Sequence, residues 1–346
     1  MKINKPWWVT SIIIAGVLIL SVILLAIKVG IYKERPQYLR TKRVGVLLAN
    51  VSRTSKLEGL KLGLAELGYV EGRDITYLIK NAEGSWEQVY SLALELAAQR
   101  PDVLVAGGRL EAQALAEAIQ NKPVPVVFMG AASVKGGFRP SYMTGVDNFH
   151  TELAVKRLEF MVRLLPFVRC VLVLVDPRVA PGIQSLPSLK QAASQLGVSL
   201  QVASVSSIQE LKKFLSVLKP RQAEGMLLTS SFLLEEGEAI ELIGRTGKSL
   251  GWPIMGVNVA DAEAGLLSAY GCPFMDQGRQ AARLVNKILE GQDPATIPIE
   301  TPDRLELVVN LDTARTLGLK LHPEDLKFVD RIIVGNEGGG VGYGKP

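Results

Sequence analysis

Two stretches of this chain run through the same order of elements, and this repetition constrains the fold more than any other feature. Arg43–Asn50 is an apolar run followed by a helical pattern that ends at Leu67–Gly68. Arg169–Pro177 is a second apolar run, followed by a helical pattern that ends at Leu196–Gly197. Short aliphatic runs of this kind are typical of parallel strands buried on both faces. The repetition predicts two similarly built lobes, with Thr144–His150 crossing between them and a cleft at the carboxyl ends of the strands.

Strand and helix patterns alternate along the rest of the chain, which predicts an α/β fold with parallel sheets. The apolar residues of Lys56–Gly68 recur at three- and four-residue spacing, as on one face of a helix. The predicted division is a flank at 1–8, a transmembrane anchor or uncleaved signal at 9–31, a tether at 32–42, a first lobe of 43–147 plus 262–300, a second lobe of 148–261 plus 301–334, and a flexible tail at 335–346.

The N-terminal segment has the length and character of a membrane span. Val9–Ile27 contains no charged residue, and with Val29–Ile31 it is long enough to cross about 30 Å of hydrocarbon as a helix. Trp7 and Trp8 stand at its start, where amphipathic rings lie at a membrane interface. A cleaved signal has an apolar region of only about 7–15 residues and a small-residue cleavage site. The longer run here therefore favours an anchor that stays in the mature protein.

The net charge of +5 comes from the N-terminal end of the chain. Residues 1–43 carry eight Lys or Arg and one acid, a net of +7, so the remaining residues net −2. A nucleic-acid-binding domain needs a basic footprint, and the globular part lacks one. The basic N-terminal residues are instead typical of the flanks of a membrane span. No nucleic acid is therefore expected as a partner.

The sequence gives little support for catalysis or for a cofactor. Gly107–Arg109 follows a strand and precedes a helix, but the segment lacks a complete GxGxxG pattern and a P-loop lysine. His150 and His322 are the only histidines, and neither has the spacing of a zinc site or a catalytic triad. Cys170 and Cys272 lie far apart, which is compatible either with two thiols or with a disulfide. The expectation is a binding protein with no enzyme activity and no cofactor.

Small and polar residues in the loops that follow the strands are the candidate ligand contacts, because such side chains give convergent hydrogen bonds to a small molecule. These candidates are Asn50, Ser52, Gly108, Arg109, Gly130, Ala131, Asp147, Asp176, Ser230, Asn258, Asp261 and Tyr270. The aromatic rings of Phe232 and Tyr270 are expected to stack on the ligand. By contrast, several acids fall on helix faces or in turns and are predicted to be solvent-exposed. They are Glu58, Glu66, Glu71, Glu83, Glu111 and Glu117.

Several runs resemble, in order, those of one protein family. Gly63–Ile75 (GLAELGYVEGRDI) is similar to a GLxELGYVEGxNI run of the ABC transporter substrate-binding proteins, some of which bind aromatic amino acids such as tryptophan. Gly145–Asn148, Arg279–Gly291 and Glu306–Leu319 (ELVVNLDTARTLGL) resemble further segments of that family. The resemblance covers about residues 43–333. It implies two Rossmann-like lobes of the type I periplasmic-binding-protein fold that close on a small solute.

The resemblance also implies an ABC permease as partner, and a binding domain on the extracytoplasmic side of the cytoplasmic membrane. The charges around the span disagree with this extracytoplasmic location. More Lys and Arg follow the span than precede it, which by itself favours a cytoplasmic domain. Arg109 and Asp176 depart from the family's usual Gly-Thr-Pro and Asn-Pro. Two interpretations of Arg109 stay open: it points to solvent or pairs with Glu111 or a neighbouring acid, or it holds an anionic group of an altered ligand, with Ser52 and Tyr270 beside it.

Three functions remain open from the sequence. The first is a substrate-binding component of an ABC transporter, which captures a small solute such as an amino acid or a related anionic compound. The second is a membrane-tethered sensing domain of the same fold that transports nothing. The third is an enzyme that uses the cleft. Closure is predicted by rotation at three crossings, near Asp147–Phe149, Val259–Glu263 and Pro298–Arg304.

Overall fold

The computed structural model describes residues 40–119, 124–131, 140–235, 237–335 and 341–344. The predicted span Val9–Ile31 lies outside these residues. Within the described part, no helix combines the length and the apolar character that crossing a membrane requires. Lys42–Pro346 forms one compact unit, and this unit contains two sheets.

The described elements follow one another in regular alternation. They are β1 (Lys42–Leu48), α1 (Thr54–Glu66), β2 (Ile75–Asn81), α2 (Trp86–Ala98), β3 (Val103–Ala106), α3 (Arg109–Ala118), β4 (Val126–Ala131), β5 (Met143–Asp147), α4 (His150–Leu164), β6 (Cys170–Val175), α5 (Ala180–Leu196), β7 (Ser199–Ser204), α6 (Ile208–Ser216), β8 (Gly225–Leu228), α7 (Gly237–Leu250), β9 (Ile254–Gly256), α8 (Val259–Glu263), β10 (Ser268–Gly271), α9 (Phe274–Leu289), β11 (Glu306–Asn310), α10 (Leu311–Thr316), α11 (Pro323–Leu326), β12 (Arg331–Gly335) and β13 (Val341–Gly344).

The first lobe is built on a wholly parallel sheet with the order β2-β1-β3-β4-β5. Successive side chains of a strand point to opposite faces, and all four residues of β3 are buried. Both faces of this sheet are therefore covered, as the continuous aliphatic runs predict. The predicted α/β fold with parallel sheets in two lobes is confirmed.

The second lobe is built on a sheet with the order β13-β12-β11-β10-β9-β8-β6-β7. Its strands are parallel except at the β10–β11 and β12–β13 pairs, which are antiparallel. The structure corrects the predicted boundary at residue 262, because β10 pairs with β9 and β11 and so lies in the second sheet. Within the predicted flexible tail at 335–346, the structure instead has the strand Val341–Gly344, which pairs with β12.

The chain passes between the sheets at three places, at 148–149, at 272–273 and at 301–305. The predicted crossing at Val259–Glu263 is wrong, because these residues form helix α8 beside strands of the second sheet. Cys272 lies at the second crossing, and both cysteines are free thiols. Burial raises the pKa of the Cys272 thiol to about 12, so this thiol is protonated at neutral pH.

Helix α9 returns to the first lobe and packs closely on α1 through glycines. A Cβ atom on Gly59 would overlap the carbonyl oxygen of Met275, and one on Gly278 would overlap the carbonyl oxygen of Lys56. A Cβ on Gly63 would come within 2.7 Å of the Ala282 methyl group. Glycine is normally unfavourable in a helix, so its presence here serves the close approach of the two backbones. This contact holds the start of α1 at the edge of the cleft.

We expect Gly278→Ala to lower the free energy of unfolding by about 1–3 kcal/mol, because the added methyl group pushes α9 away from α1. Gly244→Ala is the matched control within α7. Its Cβ would meet only the end of the Leu266 side chain, at 3.3 Å. The control should be neutral or more stable, by up to about 1 kcal/mol, from helix propensity. Urea unfolding of both variants checks this, and equal effects would contradict the packing argument.

Candidate ligand-binding cleft

A cavity of about 30 Å³ lies between the lobes. Both lobes and the first crossing contribute to its wall. The lining residues are Arg53, Lys56, Arg109, Gly130, Asn148, His150, Val179, Pro181, Ser230, Ser231, Phe232, Asn258 and Phe274. Most of them lie in the loops that follow strands or in the first turn of the next helix, which is where ligands bind in parallel α/β sheets.

Arg53 forms a buried ion pair with Glu111 on the first-lobe side of the cavity. The Nη1 atom of Arg53 donates to the carboxylate at 2.8 Å, and the two side chains are 3% and 0% exposed. Glu111 also accepts from the backbone N–H of Ala49 at 2.8 Å. A Cβ atom on Gly108 would overlap the Arg53 guanidinium, so a larger residue at this position would displace that side chain. The predicted exposure of Glu111 is wrong, because its carboxylate joins the loops after β1 and β3.

Lys56 brings a second buried cation to the same wall. Its Nζ atom donates to the carbonyls of Gly107 and Met129, each at 2.8 Å, and the residue is 4% exposed. The ammonium group also lies 4.7 Å from the centre of the Phe274 ring, within the range of a cation–π contact. Lys56 thus ties the carboxyl ends of β3 and β4 together at the cavity wall.

The first crossing supplies Asn148 and His150. The Nδ2 atom of Asn148 donates to the Gly130 carbonyl at 3.0 Å, whereas its buried Oδ1 atom has no hydrogen-bond partner. Gly130 has φ +82, and a Cβ on it would overlap the amide of Gln277. The crossing thus contains one buried acceptor that is unsatisfied, in a residue of the cavity wall.

Arg157 lies behind His150 and fixes its tautomer. This fully buried guanidinium donates to the carbonyls of Tyr270 and Val257 and to the Nδ1 atom of His150 at 3.2 Å. Burial lowers the pKa of Arg157 to about 10, which still leaves it charged at neutral pH. Burial, together with the charges of Arg157, Lys56 and Arg53, holds the pKa of His150 well below its usual range. His150 is therefore neutral, with its proton on Nε2.

Aspartates of the second lobe are occupied by local contacts. Asp176 is fully buried, pairs with Arg178 at 2.8 Å and accepts from Ser231 Oγ at 3.1 Å. Asp261 accepts from the backbone N–H groups of Val257 and Asn258 and so caps α8. These carboxylates shape the loops of the cleft.

The structure brings four of the predicted site residues together in the cavity wall, namely Arg109, Gly130, Ser230 and Asn258. Asn50 lines a neighbouring cavity of about 80 Å³, and Ser52 lies in a separate groove while donating to Asn50 Oδ1. Gly108 packs under Arg53, and Ala131 packs in the first-lobe core. The carboxylates of Asp147, Asp176 and Asp261 make the local contacts of caps and turns.

Tyr270 does not lie beside Arg109, and this part of the prediction is corrected. Its ring packs edge-on against Phe160 at 4.8 Å, in the core of the second lobe. Ser52 is likewise exposed and outside the cavity. Tyr270 is the next-to-last residue of β10, and the alternation of side chains along this strand places its ring on the core face of the second sheet.

The sequence-based candidates missed Arg53, Lys56, Asn148 and His150. Arg53 and Lys56 lie where the loop after β1 turns into α1, a position that could have been inferred from the strand-loop-helix pattern. Asn148 and His150 follow β5 directly, at the predicted crossing. His150 was considered only as a metal ligand or catalytic base, although a neutral imidazole also donates a hydrogen bond.

The sequence pattern of a family described as ABC transporter substrate binding protein matches residues 43–331. This chain belongs to that family. It is a family of binding proteins and not of enzymes, which confirms the prediction that the chain is not an enzyme. The match includes every lining residue of the cavity and extends from β1 to the first residue of β12.

Relatives of this ABC transporter substrate-binding protein include a tyrosine-binding protein from Clostridioides difficile (strain R20291), which is 22% identical over 84% of this chain and 85% of its own length. Among solved structures, an ABC domain in complex with L-Trp from Streptococcus pneumonia is 22% identical with a TM-score of 0.76, over 85% of this chain and 100% of that one. A conserved domain protein from Vibrio cholerae is 23% identical, with the same TM-score and coverage. These likenesses show the fold.

We expect Glu111→Gln to lower the free energy of unfolding by about 3 kcal/mol, because it leaves the buried Arg53 charge without its counterion. Glu117→Gln makes the same change on an exposed position of the same helix and should cost less than about 0.5 kcal/mol. Urea denaturation at neutral pH measures both values. A wild-type midpoint for Glu111→Gln would show that the ion pair is not needed for stability.

The low pKa of His150 predicts a loss of stability in mild acid. The unfolded chain takes up a proton near pH 6.5 whereas the folded chain does not, so stability falls as the pH drops below that value. We expect His150→Gln, which retains an acceptor for Arg157, to reduce the loss between about pH 7 and about pH 5.5 by about 1 kcal/mol. Urea denaturation at the two pH values gives the change in the free energy of unfolding for each protein. An equal change in the wild type and in the variant would contradict the low pKa of His150.

Proposed function

We propose that this protein is the solute-capturing component of an ABC importer, which binds a small molecule between its lobes and delivers it to a permease. The observation that carries the proposal is the cavity lined from both lobes at the carboxyl ends of their strands. Family membership supports it, because residues 43–331 match substrate-binding proteins of ABC transporters. Amino acids and related acids are the first candidate solutes, since relatives include a tyrosine-binding protein and a protein in complex with L-Trp.

The same proposal includes the location of the protein. The run Val9–Ile31, uncharged as far as Ile27, would anchor the chain in the cytoplasmic membrane, with the lobes on the extracytoplasmic side where an importer collects its solute. The family supports this orientation, whereas the excess of Lys and Arg after the span argues against it. N-terminal sequencing of the protein from membrane fractions would detect Met1 or Lys2 if the anchor remains. A mature chain that begins after about residue 31 would reject the anchor.

An aromatic contact bridges the mouth of the cleft and supports capture by closure. Trp86, at the start of α2 in the first lobe, packs edge-on against Phe232 of the second lobe at 5.0 Å. Phe232 follows β8, and its ring packs against the first-lobe core. A contact of this kind forms only when the lobes are together, so it adds to the free energy of closure. Capture then depends on hinge motion at the three crossings.

We expect Phe232→Ala to weaken solute binding about tenfold, because closure loses an aromatic pair worth about 0.5–1.5 kcal/mol together with its buried area. Phe167→Ala, at a residue that is 52% exposed and outside the cavity, is the control and should bind normally. The solute is first identified by native mass spectrometry of the purified full-length chain. Calorimetry and small-angle scattering then measure affinity and compaction. An unchanged radius of gyration at saturating solute would reject closure.

A further inference from the structure

We propose that Asn148 selects the solute, because its Oδ1 atom accepts a hydrogen bond from an N–H or O–H donor that lies next to an acid group of the solute. The solute is then a 2-amino acid or a 2-hydroxy acid, and an acid without that donor binds weakly. This inference rests on the proposed function, since it assumes that the cavity between the lobes holds the solute.

The amide of Asn148 is buried and held in one orientation. Its Nδ2 atom donates to the Gly130 carbonyl at 3.0 Å, and the residue is 6% exposed. A carbonyl oxygen accepts only from the N–H end of an amide, so this bond fixes the place of Oδ1 as well. The Oδ1 atom is buried and has no hydrogen-bond partner in the described structure. Buried polar atoms are nearly always satisfied, so this atom calls for a donor.

The backbone of the first crossing keeps Asn148 in place. The N–H group of the next residue, Phe149, donates to Asp147 Oδ1 at 2.9 Å, and Phe149 has a φ of 52°, in the left-handed region. Helix α4 begins directly after it, at His150. A contact that is ordered before the solute arrives costs less conformational entropy to complete. Asn148 is therefore suited to recognition, since both its side chain and its backbone are fixed.

Water is the other donor that can reach this acceptor. The cavity of about 30 Å³ holds only about two water molecules. A solute that enters the cavity displaces this water, and it loses affinity unless it replaces the hydrogen bonds that the water gave. The buried acceptor of Asn148 therefore acts against a solute without a donor, whether or not water fills the cleft beforehand.

His150 provides the complementary group two residues further along the crossing, and it lines the same cavity. Arg157 only donates, so its 3.2 Å contact with Nδ1 leaves the proton of the neutral imidazole on Nε2. The crossing thus offers an acceptor on Asn148 and a donor on His150. A 2-amino acid or a 2-hydroxy acid carries the matching pair, a donor on one carbon atom and a carboxylate on the next.

Gln277 is a second buried amide beside Gly130 and serves as the matched control. Its Oε1 atom also has no hydrogen-bond partner, and a Cβ atom on Gly130 would overlap it. Gln277 is 1% exposed, but it is not among the residues that line the cavity. A solute in the cavity is therefore expected to bond to Asn148 and not to Gln277.

The test compares acids that differ only in the group on the second carbon atom, with the full-length purified chain. The sets are L-tryptophan, indole-3-lactate and indole-3-propionate; L-tyrosine, 4-hydroxyphenyllactate and 4-hydroxyphenylpropionate; and L-alanine, lactate and propionate. They differ in side-chain size, since a substituent extends into the neighbouring cavity of about 80 Å³. Calorimetry measures each affinity. We expect an amino or hydroxy acid to bind about tenfold or more tightly than the unsubstituted acid of its set.

Two variants tie this preference to the Oδ1 atom of Asn148. Asn148→Leu keeps the size of the side chain without an acceptor, so the ratio of affinities within a set should fall about tenfold. Asn148→Asp keeps an acceptor and adds negative charge, so the amino acid should gain affinity relative to the hydroxy acid. Gln277→Met should leave both ratios as in the wild type. Should Asn148→Leu fail to fold, Asn148→Ala removes the same acceptor with a smaller side chain.

The outcomes separate the inference from the function on which it rests. The better-bound member of a set assigns the donor, to an ammonium group if it is the amino acid and to a hydroxyl group if it is the hydroxy acid. If the acids of every set that binds have equal affinities, the inference is rejected while solute capture stands. A preference that persists in Asn148→Leu, or that is lost equally in Gln277→Met, would also overturn it. If no acid binds, the proposed capture of an amino acid or a related acid is rejected together with the inference.

Discussion

The ion pair between Arg53 and Glu111 joins the loops that form the first-lobe wall of the cleft. Glu111 lies in the first turn of α3, Arg53 lies in the loop before α1, and the carboxylate also accepts from the Ala49 amide. Both partners are buried, so neither charge is tolerated without the other. Gly108 leaves room for the guanidinium in this position. The loops after β1 and β3 are thus held in one arrangement, which sets the positions of Lys56 and Arg109.

The fold of this chain follows from local patterns, whereas the site does not. Aliphatic runs such as β1 and β3 are buried on both faces, and a run of this kind predicts a parallel strand wherever it occurs. The pairing of Arg53 with Glu111 joins residues 58 positions apart, and no periodic pattern in the sequence predicts it. Glu111 lies in the first turn of a helix, where acidic residues are common and usually exposed to solvent. Its burial is a consequence of tertiary structure alone.

The errors in the predicted lobes have the same origin. A strand pattern predicts a strand but not the sheet that it joins, so residues 262–271 were assigned to the wrong lobe. The pairing of β10 with β9 and β11 places it in the second sheet, and the Tyr270 ring packs on Phe160 in the core of that lobe. The first crossing was easier to predict, because Thr144–His150 separates two complete strand-helix units. The membrane span, by contrast, stays a prediction from composition.

Arg157 shows how the second lobe orders the first crossing. The described hydrogen-bond partners of its guanidinium are three backbone carbonyls and the imidazole of His150, and the carboxylate of Asp261 also acts on it electrostatically. These contacts satisfy the donors of the guanidinium and fix the His150 ring with its Nδ1 atom as an acceptor. Because Tyr270, Val257 and Asp261 belong to the second lobe, this lobe sets the orientation of His150 at the cavity wall.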